Sequence, residues 1–216
     1  MGIIPERSKN STRVHPRSDK KGKAMYIRLA SVVQRQLSYI RIVVMRMRGI
    51  EVGRECWIAG KAKIRRAKGS RITLGDAVSL ISTNRENPLV QHEVRMETLT
   101  PSAEIRLDDR ACVNGCQLVS CRRIHVGENT FIEANTIICD EDEQQRTGAG
   151  CGQPCGSEIR IGKNCMIGQG CIIHGGITIG DGCEVEPGSV VTQNVPDGSR
   201  AYGNPAMIEP LAADRQ

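Results

Sequence analysis

The chain has 216 residues, of which 39% are hydrophobic, so it is long enough for one domain with a substantial core. Only five residues are aromatic against 23 glycines, which argues against helical bundles and β-sandwiches, because their cores contain large rings. Residues 1–49 contain 12 Lys/Arg and two Asp/Glu, whereas residues 50–216 contain 18 Lys/Arg and 22 Asp/Glu. The basic charge therefore lies at the N-terminus, and general nucleic-acid binding is not expected.

No uninterrupted apolar segment follows the basic start, and no run of about 18 apolar residues occurs further along. We therefore expect a cytoplasmic protein. Ten cysteines would suggest disulfides in a secreted protein, but reduced thiols are expected in this compartment.

The N-terminal segment divides by composition into two parts. Residues 1–23 are rich in Arg, Lys, Ser and Pro, which predicts a basic disordered tail. Residues 24–49 have an irregular amphipathic pattern punctuated by arginines, which predicts a helix. Two roles are open for it: a packing helix that covers the end of the main domain, or a membrane-surface helix that makes weak contact with anionic lipid.

From residue 161 an aliphatic residue recurs at every sixth position. The six members are Ile161, Ile167, Ile173, Ile179, Val185 and Val191. Four residues after each comes a mostly small side chain, in the order Cys165, Cys171, Ile177, Cys183, Ser189 and Val195. The same phase recurs upstream in Val52, Ile58, Ile64, Leu74, Leu80, Leu107, Val113, Val119, Val126, Ile132 and Ile138.

Three six-residue units make one coil of 18 residues, and such coils bury their aliphatic residues only by stacking on neighbours. The pattern predicts a triangular solenoid over residues 50–195, with a C-terminal cap and tail over residues 196–216. Two large insertions interrupt the repeat, and we expect them as extruded loops at about 82–102 and 140–158. Cys56, Cys165, Cys171 and Cys183 are predicted to point inward as inert core residues.

Four short motifs in the C-terminal part carry a family resemblance. They are Ile161-Gly162-Lys163-Asn164, Ile179-Gly180-Asp181-Gly182, Gly188-Ser189-Val190-Val191-Thr192 and Gly203-Asn204-Pro205-Ala206. With them the chain resembles the hexapeptide-repeat acyltransferases, in particular the sugar, maltose and nodulation-type O-acetyltransferases. The resemblance implies an all-β fold, a left-handed parallel β-helix with an N-terminal helix and two extruded loops. It also implies a homotrimer with active sites between subunits.

The activity implied by the resemblance is transfer of an acetyl group from acetyl-CoA to a sugar hydroxyl, in polysaccharide or glycolipid synthesis. A histidine in an extruded loop is the usual general base of such enzymes. Its position here falls on Glu143 or Gln144, in an acidic run that begins at Asp140, and glutamine cannot accept a proton. His92, in the other insertion, is the alternative base. No metal is expected, because the four histidines lack the spacing of a zinc site.

The remaining site residues are carried over by position. Asn114 and Asp142 correspond to acceptor-binding positions. The cofactor positions are Gly168, Gln169, Gly188, Thr192, Gln193, Asn204 and Met207. Gln193 and Met207 stand where the family usually has a cation for the phosphates of CoA. A second reading therefore stays open, in which the chain is a catalytically degenerate β-helix that serves in binding or assembly.

Overall fold

The computed structural model describes residues 20–140 and 156–211, and their side chains from residue 33 onward. One helix, α1 (Lys20–Met47), precedes twenty short strands that wind around three parallel sheets. Sheet A contains β1 (Glu51–Val52), β4 (Arg71–Leu74), β7 (Glu104–Leu107), β10 (Arg123–Val126), β13 (Ile159–Ile161) and β16 (Thr178–Ile179).

Sheet B contains β2 (Trp57–Gly60), β5 (Ser79–Ser82), β8 (Cys112–Asn114), β11 (Phe131–Ile132), β14 (Met166–Ile167), β17 (Glu184–Val185), β19 (Ser199–Tyr202) and β20 (Met207–Pro210). Sheet C contains β3 (Lys63–Arg65), β6 (Arg95–Thr98), β9 (Gln117–Ser120), β12 (Ile137–Cys139), β15 (Ile172–His174) and β18 (Val190–Val191). Successive strands visit A, B and C in turn, so each circuit is one coil of a left-handed parallel β-helix, which confirms the predicted fold class.

The strand register reproduces the predicted repeat. Along sheet A, the residues that begin each coil pair directly with one another, in the order Val52, Leu74, Leu107, Val126, Ile161 and Ile179. The six-residue period therefore places equivalent side chains one above another along the axis, about 4.8 Å apart.

The interior of the β-helix is aliphatic and narrow. No aromatic ring is among the buried residues of the described side chains, whereas Ile132, Ile138 and Ile167 are fully buried. The small inward residues also link neighbouring coils: the Thr130 hydroxyl donates to the carbonyl of Gly162 at 2.7 Å, and the Cys165 thiol donates to the carbonyl of Gly180 at 3.0 Å. Thiols and hydroxyls at this position thus satisfy turn carbonyls that the strands leave free.

Two details of the predicted repeat were wrong. Leu118, rather than Val119, is the inward residue of β9, because the turn at Gly115 has a positive φ of 51° and is one residue shorter than expected. The loop predicted at 82–102 also contains β6, whose inward residue is Met96. Methionine does not belong to the Ile/Leu/Val pattern, so the pattern does not predict this strand.

Helix α1 begins and ends slightly earlier than the predicted 24–49, and it covers the first coil. Strand β2 is an edge strand of sheet B, so its polar groups need partners. The Ser38 hydroxyl accepts the N–H of Ile58 at 2.8 Å, and the guanidinium of Arg41 donates to the carbonyl of the same residue at 2.9 Å. Arg46 donates in the same way to the carbonyls of Val52 and Gly53. The helix therefore terminates the stack.

The other end of the stack is closed by strands. The predicted cap at 196–216 contains β19, which continues sheet B in parallel, and β20, which turns back antiparallel to it. In the described part of the chain, no helix has an apolar stretch long enough to cross a membrane. Residues 1–19 of the predicted tail lie outside the described residues, and residues 20–23 belong to α1.

Candidate functional site

Two insertions interrupt the coils and leave the β-helix at different corners. Insertion 1 (residues 83–94) joins β5 of sheet B to β6 of sheet C, so it leaves from the B/C corner. Insertion 2 (residues 140–158) joins β12 of sheet C to β13 of sheet A, so it leaves from the C/A corner. The outer face of sheet C lies between the two, and insertions on a rigid scaffold are where functional residues concentrate.

Insertion 1 folds back along the B/C corner. The amide of Asn135 donates to the carbonyl of Leu89 at 3.0 Å and accepts the N–H of Gln91 at 3.2 Å, which fastens the loop to the fourth coil. His92 is exposed and lines an open cavity of about 370 Å³ between the loop and sheet C. The cavity is lined by Lys63, Gln91, His92, Glu93, Arg95 and Gln117. The predicted alternative base therefore stands among charged and amide side chains.

Insertion 2 is anchored by Asp140, whose side chain is fully buried. Its carboxylate accepts the backbone N–H groups of Cys121, Arg122 and Arg123 at 2.5, 2.9 and 2.7 Å, and the Ser120 hydroxyl at 2.8 Å. Both oxygens are thus held by protein donors, so Asp140 is placed to position the loop and not to face a substrate. The predicted residues Asp142, Glu143 and Gln144 lie outside the described residues.

Beside the exit of insertion 2, His174 pairs in register with Cys139 on the outer face of sheet C, and both are half-buried. The loop re-enters at Ser157, whose N–H bonds the carbonyl of Asp140 at 3.1 Å and whose side chain leaves no room for a Cβ at Gly176. Among the histidines that the structure describes, His174 is therefore the one beside the two ends of insertion 2. The pairing of His174 with Cys139 follows only from the fold.

The predicted cofactor positions of the last coils form a row along the B/C corner. The N–H of Gly188 donates to the carbonyl of Gln169 at 2.8 Å, and Gly203, next to Asn204, accepts the N–H of Val190 at 2.9 Å. A Cβ at Gly168 would lie 2.6 Å from the backbone nitrogen of Pro187, so only glycine fits there. Three successive turns thus present backbone and small side chains in line with the axis.

The other predicted cofactor residues lie apart from this row. Thr192 and Gln193 follow β18 at the C/A corner and are exposed. The Gln193 amide donates to the carbonyl of Ala206 at 3.0 Å, so its side chain is engaged with the closing hairpin. Met207 is 60% exposed in that hairpin.

Asn114, a predicted acceptor-binding residue, is covered. Its side chain is 1% exposed, and its amide donates to the carbonyl of Ile132 at 3.1 Å, while its side-chain oxygen has no partner among the described residues. The next residue, Gly115, lies directly beneath His92 and Val90 of insertion 1. Insertion 1 would have to lift before an acceptor could reach this amide.

On sheet A, His125 points outward, and its Nε2 lies 2.7 Å from Oδ2 of Asp108. Partial burial would raise the pKa of Asp108, but hydrogen bonds from Arg106 and His125 outweigh it and hold that pKa below its usual value. Arg123 on the same face pairs with Glu104 at 3.2 Å. This face is an ion-paired surface.

Cys56, Cys165, Cys171 and Cys183 are buried thiols, as predicted, and the structure adds Cys116 to them. Burial raises the pKa of Cys116 to about 12 and that of Cys165 to about 11. They are poor nucleophiles, because the thiolate is the reactive form. Within residues 20–140 and 156–211, no three histidine, cysteine or acidic side chains come together as a metal site. Cys151 and Cys155 lie outside those residues.

Comparisons with known proteins agree with the geometry. Residues 158–193 match the family model described as the hexapeptide repeat of succinyl-transferase. AntD, an N-acyltransferase from Bacillus cereus solved with dTDP and 3-hydroxybutyryl-CoA, is 18% identical with a TM-score of 0.59, over 77% of this chain and 85% of its own. A mutant of the same enzyme, solved with dTDP-4-amino-4,6-dideoxyglucose and coenzyme A, is also 18% identical with a TM-score of 0.56, over 74% and 82%.

A maltose O-acetyltransferase from Clostridium difficile 630 is 23% identical over 74% of this chain and 68% of its own, but its TM-score is 0.44. No curated protein sequence matches the chain significantly. At these identities the shared property is the fold. Residues 158–193 therefore carry hexapeptide repeats, and the chain shares the left-handed β-helix fold with these solved acyltransferases.

Proposed function

We propose that the chain is a CoA-dependent acyltransferase that transfers an acetyl group from acetyl-CoA to a sugar hydroxyl. The observation that carries this proposal is the row along the B/C corner, in which Gln169, Gly188 and Asn204 occupy three successive turns. A long, narrow donor such as CoA suits a site that runs parallel to the axis. Insertion 1 occupies the same corner at the third and fourth coils, where the row would deliver the reactive end of the donor.

The chemistry required is modest. A base removes the proton of the sugar hydroxyl, the oxygen attacks the thioester carbonyl, and the thiolate of CoA leaves. Backbone N–H groups at the turns would stabilise the oxyanion of the tetrahedral intermediate. Glu143 in insertion 2 and His92 in insertion 1 are the predicted bases, and His174 is added by the structure because it lies beside the root of insertion 2.

A homotrimer belongs to the same proposal. The outer faces of sheets B and C expose apolar side chains, among them Met166 at 49% and Ile137 and Ile172 at 38% each. Burying these residues between neighbouring subunits would leave the ion-paired sheet A in water. The insertions at both edges of sheet C would then lie between subunits.

A second candidate is a catalytically degenerate protein that binds a ligand or organises an assembly. It is favoured by the engagement of Gln193 with the carbonyl of Ala206 and by the exposed thioether of Met207, since neither offers a cation to the phosphates of CoA. An alignment of the family histidine with Gln144, rather than with Glu143, would support the same reading.

Thiol release separates the two candidates. Purified protein is mixed with acetyl-CoA and a panel of sugars, including amino-sugar nucleotides, while CoA binding is measured by calorimetry. Turnover with a hydroxyl acceptor supports the proposal, whereas binding without turnover supports the degenerate reading. Absence of both contradicts acyl transfer from CoA. Turnover with amino sugars alone would revise the acceptor to an amine.

The base is then assigned with four variants: His92→Ala, Glu143→Gln, His174→Ala and, as a control, His125→Ala on the ion-paired sheet A. Loss of a general base typically lowers the rate by about 100-fold or more. We expect one of the first three to show this loss and His125→Ala to retain activity. A rate increase in Gln144→His would support the alignment of insertion 2 with the family motif.

A further inference from the structure

We propose that the N-terminal end of the molecule docks onto an anionic lipid bilayer, with α1 lying in the plane of the membrane surface. The surface in question, called the docking end below, consists of the exposed face of α1 and the adjoining groove at the first coil. The proposal does not depend on the acyl-transfer reaction, although Lys63 and Glu93 line both this groove and the cavity at His92.

The first observation is that α1 has two apolar faces, of which only one is used. Ser38, Ile42 and Met45 are buried against the first coil. The opposite face exposes apolar side chains whose positions repeat every three or four residues, so they form a single stripe along the helix. They are Val33 at 49%, Leu37 at 39%, Ile40 at 56%, Val44 at 40% and Met47 at 82% exposure.

The second observation is the charge beside this stripe. Arg41 and Arg48 lie on one flank of the stripe, and α1 contains no acidic residue. Arg35 and Arg46 lie on the other side of the helix, beyond the exposed Tyr39 and Val43. Residues 20–71 together contain 15 Lys/Arg and only two acidic residues. An apolar stripe on a helix that carries cations and no acid is the pattern of a helix that lies at the interface of an anionic bilayer.

The third observation is a groove next to the stripe. It has a volume of about 620 Å³ between α1 and the first coil, and it shares Ile40 and Val44 with the stripe. Its lining combines apolar and cationic side chains with a single acid: Ile40, Arg41, Val44, Met45, Arg48, Ile50, Lys61, Ala62, Lys63, Ile64, Arg65 and Glu93. An apolar floor with a cationic rim suits an amphiphile that carries an anionic headgroup.

Apart from Arg41, which donates to the carbonyl of Ile58, the cations of the groove are available to a ligand. Lys61 and Lys63 are exposed and make no ion pair with any residue that the structure describes, while Arg65 makes only a long contact of 3.8 Å with Glu97. By contrast, Lys163 in the C-terminal half faces Asp181 at 3.7 Å. Positive charge that lacks an internal partner is thus concentrated at the docking end.

A second copy of the chain is a poorer occupant. The spacing of the stripe would suit a coiled coil, but pairing two copies of α1 would bring arginines together without any acid on the helix to offset them. An anionic bilayer would bury the apolar stripe and pair the neighbouring cations with its headgroups at the same time. We therefore assign the bilayer as the occupant.

The test is co-flotation of the full-length protein with vesicles of phosphatidylcholine, with and without 30% phosphatidylglycerol. We expect binding only to the anionic vesicles, weakened by high salt. Each Lys or Arg near an anionic surface strengthens binding by about fivefold. Lys61→Ser combined with Lys63→Ser should therefore weaken binding by about 25-fold. The matched pair Arg160→Ser and Lys163→Ser, distant from the docking end, should leave it unchanged.

A second pair of variants tests the stripe with one added negative charge in each. Met47→Asp, at a position 82% exposed, should weaken vesicle binding at least tenfold, whereas Thr178→Asp on sheet A should not. Thermal unfolding of each variant checks that the fold is intact. An equal loss of vesicle binding in both variants, or no loss in Met47→Asp, would contradict insertion of the stripe into the bilayer.

Two further outcomes would overturn the proposal. One is absence of binding to anionic vesicles together with a change in oligomeric state in Met47→Asp, which would assign the stripe to a second copy. The other is binding that does not depend on phosphatidylglycerol. Because no step of this experiment involves CoA, its failure leaves the proposed acyl transfer untouched, and the reverse also holds.

Discussion

The outer faces of sheets A and C differ although the inner faces of their strands follow the same repeat. Sheet A carries ion pairs such as Arg123 with Glu104 and His125 with Asp108. Sheet C carries the exposed aliphatic residues Ile137 and Ile172 and is bordered by both insertions. The period of six thus determines the core, while the outward positions are free to differ between a solvated face and a face suited to partners and ligands.

The largest effect is expected from a substitution on the outer face of sheet C, where it should change the oligomeric state. Ile172→Arg should convert the proposed trimer into a monomer, because a charge buried between subunits is costly. Thr178→Arg, an exposed strand position on sheet A, should leave the assembly unchanged. Light scattering coupled to gel filtration gives the mass of each. If Ile172→Arg remained trimeric, sheet C would not be the interface.

The next effect concerns the anchor of insertion 2. Asp140→Ala should lower the free energy of unfolding by about 3 kcal/mol, because four donors lose a buried charged acceptor. Glu104→Ala, which breaks an exposed pair on sheet A, should cost about 0.5 kcal/mol. Urea denaturation measures both. Equal losses would contradict the anchoring role.

Burial inside the β-helix is tested through the pKa of the Cys116 thiol. The pKa of Cys116 in the folded protein is raised to about 12, above the value of about 8.5 expected when unfolded. Its neutral form therefore stabilises the fold fully below that unfolded value, and this contribution is lost as the pH rises above it. At pH 10 the loss should be about 2 kcal/mol.

Cys116→Ser is the matched variant, because a hydroxyl can still donate to the carbonyls of Asn114 and Glu133 but does not titrate in this range. Urea denaturation at pH 8 and pH 10 should show a smaller decrease for the variant than for the unaltered chain. An identical decrease in both would contradict the raised pKa.

The smallest effect is expected on sheet A. The pKa of Asp108 is lowered, so its ion pairs stabilise the fold above the unfolded value of about 3.9 and are lost as the pH falls through the folded value. Asp108→Asn should cost less than about 1 kcal/mol at pH 7 and still less at pH 3, since the side chain is partly exposed. Urea midpoints at the two pH values measure this. A larger cost at pH 3 would contradict the sign.

The candidate site was only partly predictable from the sequence. The row at the B/C corner follows from the repeat, since turns one coil apart must stack, and the turns that contain Gln169 and Gly188 do so. The burial of Asp140 did not follow, because its donors lie about 20 residues earlier in the chain. The strand at Met96 was missed because the inward residue lay outside the aliphatic pattern that marked the other coils.

By itself, the sequence determined the interior. An aliphatic residue at every sixth position and the exclusion of rings from inward positions define a narrow triangular core, because only stacked coils can bury such a pattern. Tertiary structure alone decided which outward residues meet. Contacts between insertion 1 and Asn135, between Asp140 and the preceding coil, and between α1 and the first coil join residues from different coils. The six-residue period carries no information about side chains that point away from the axis.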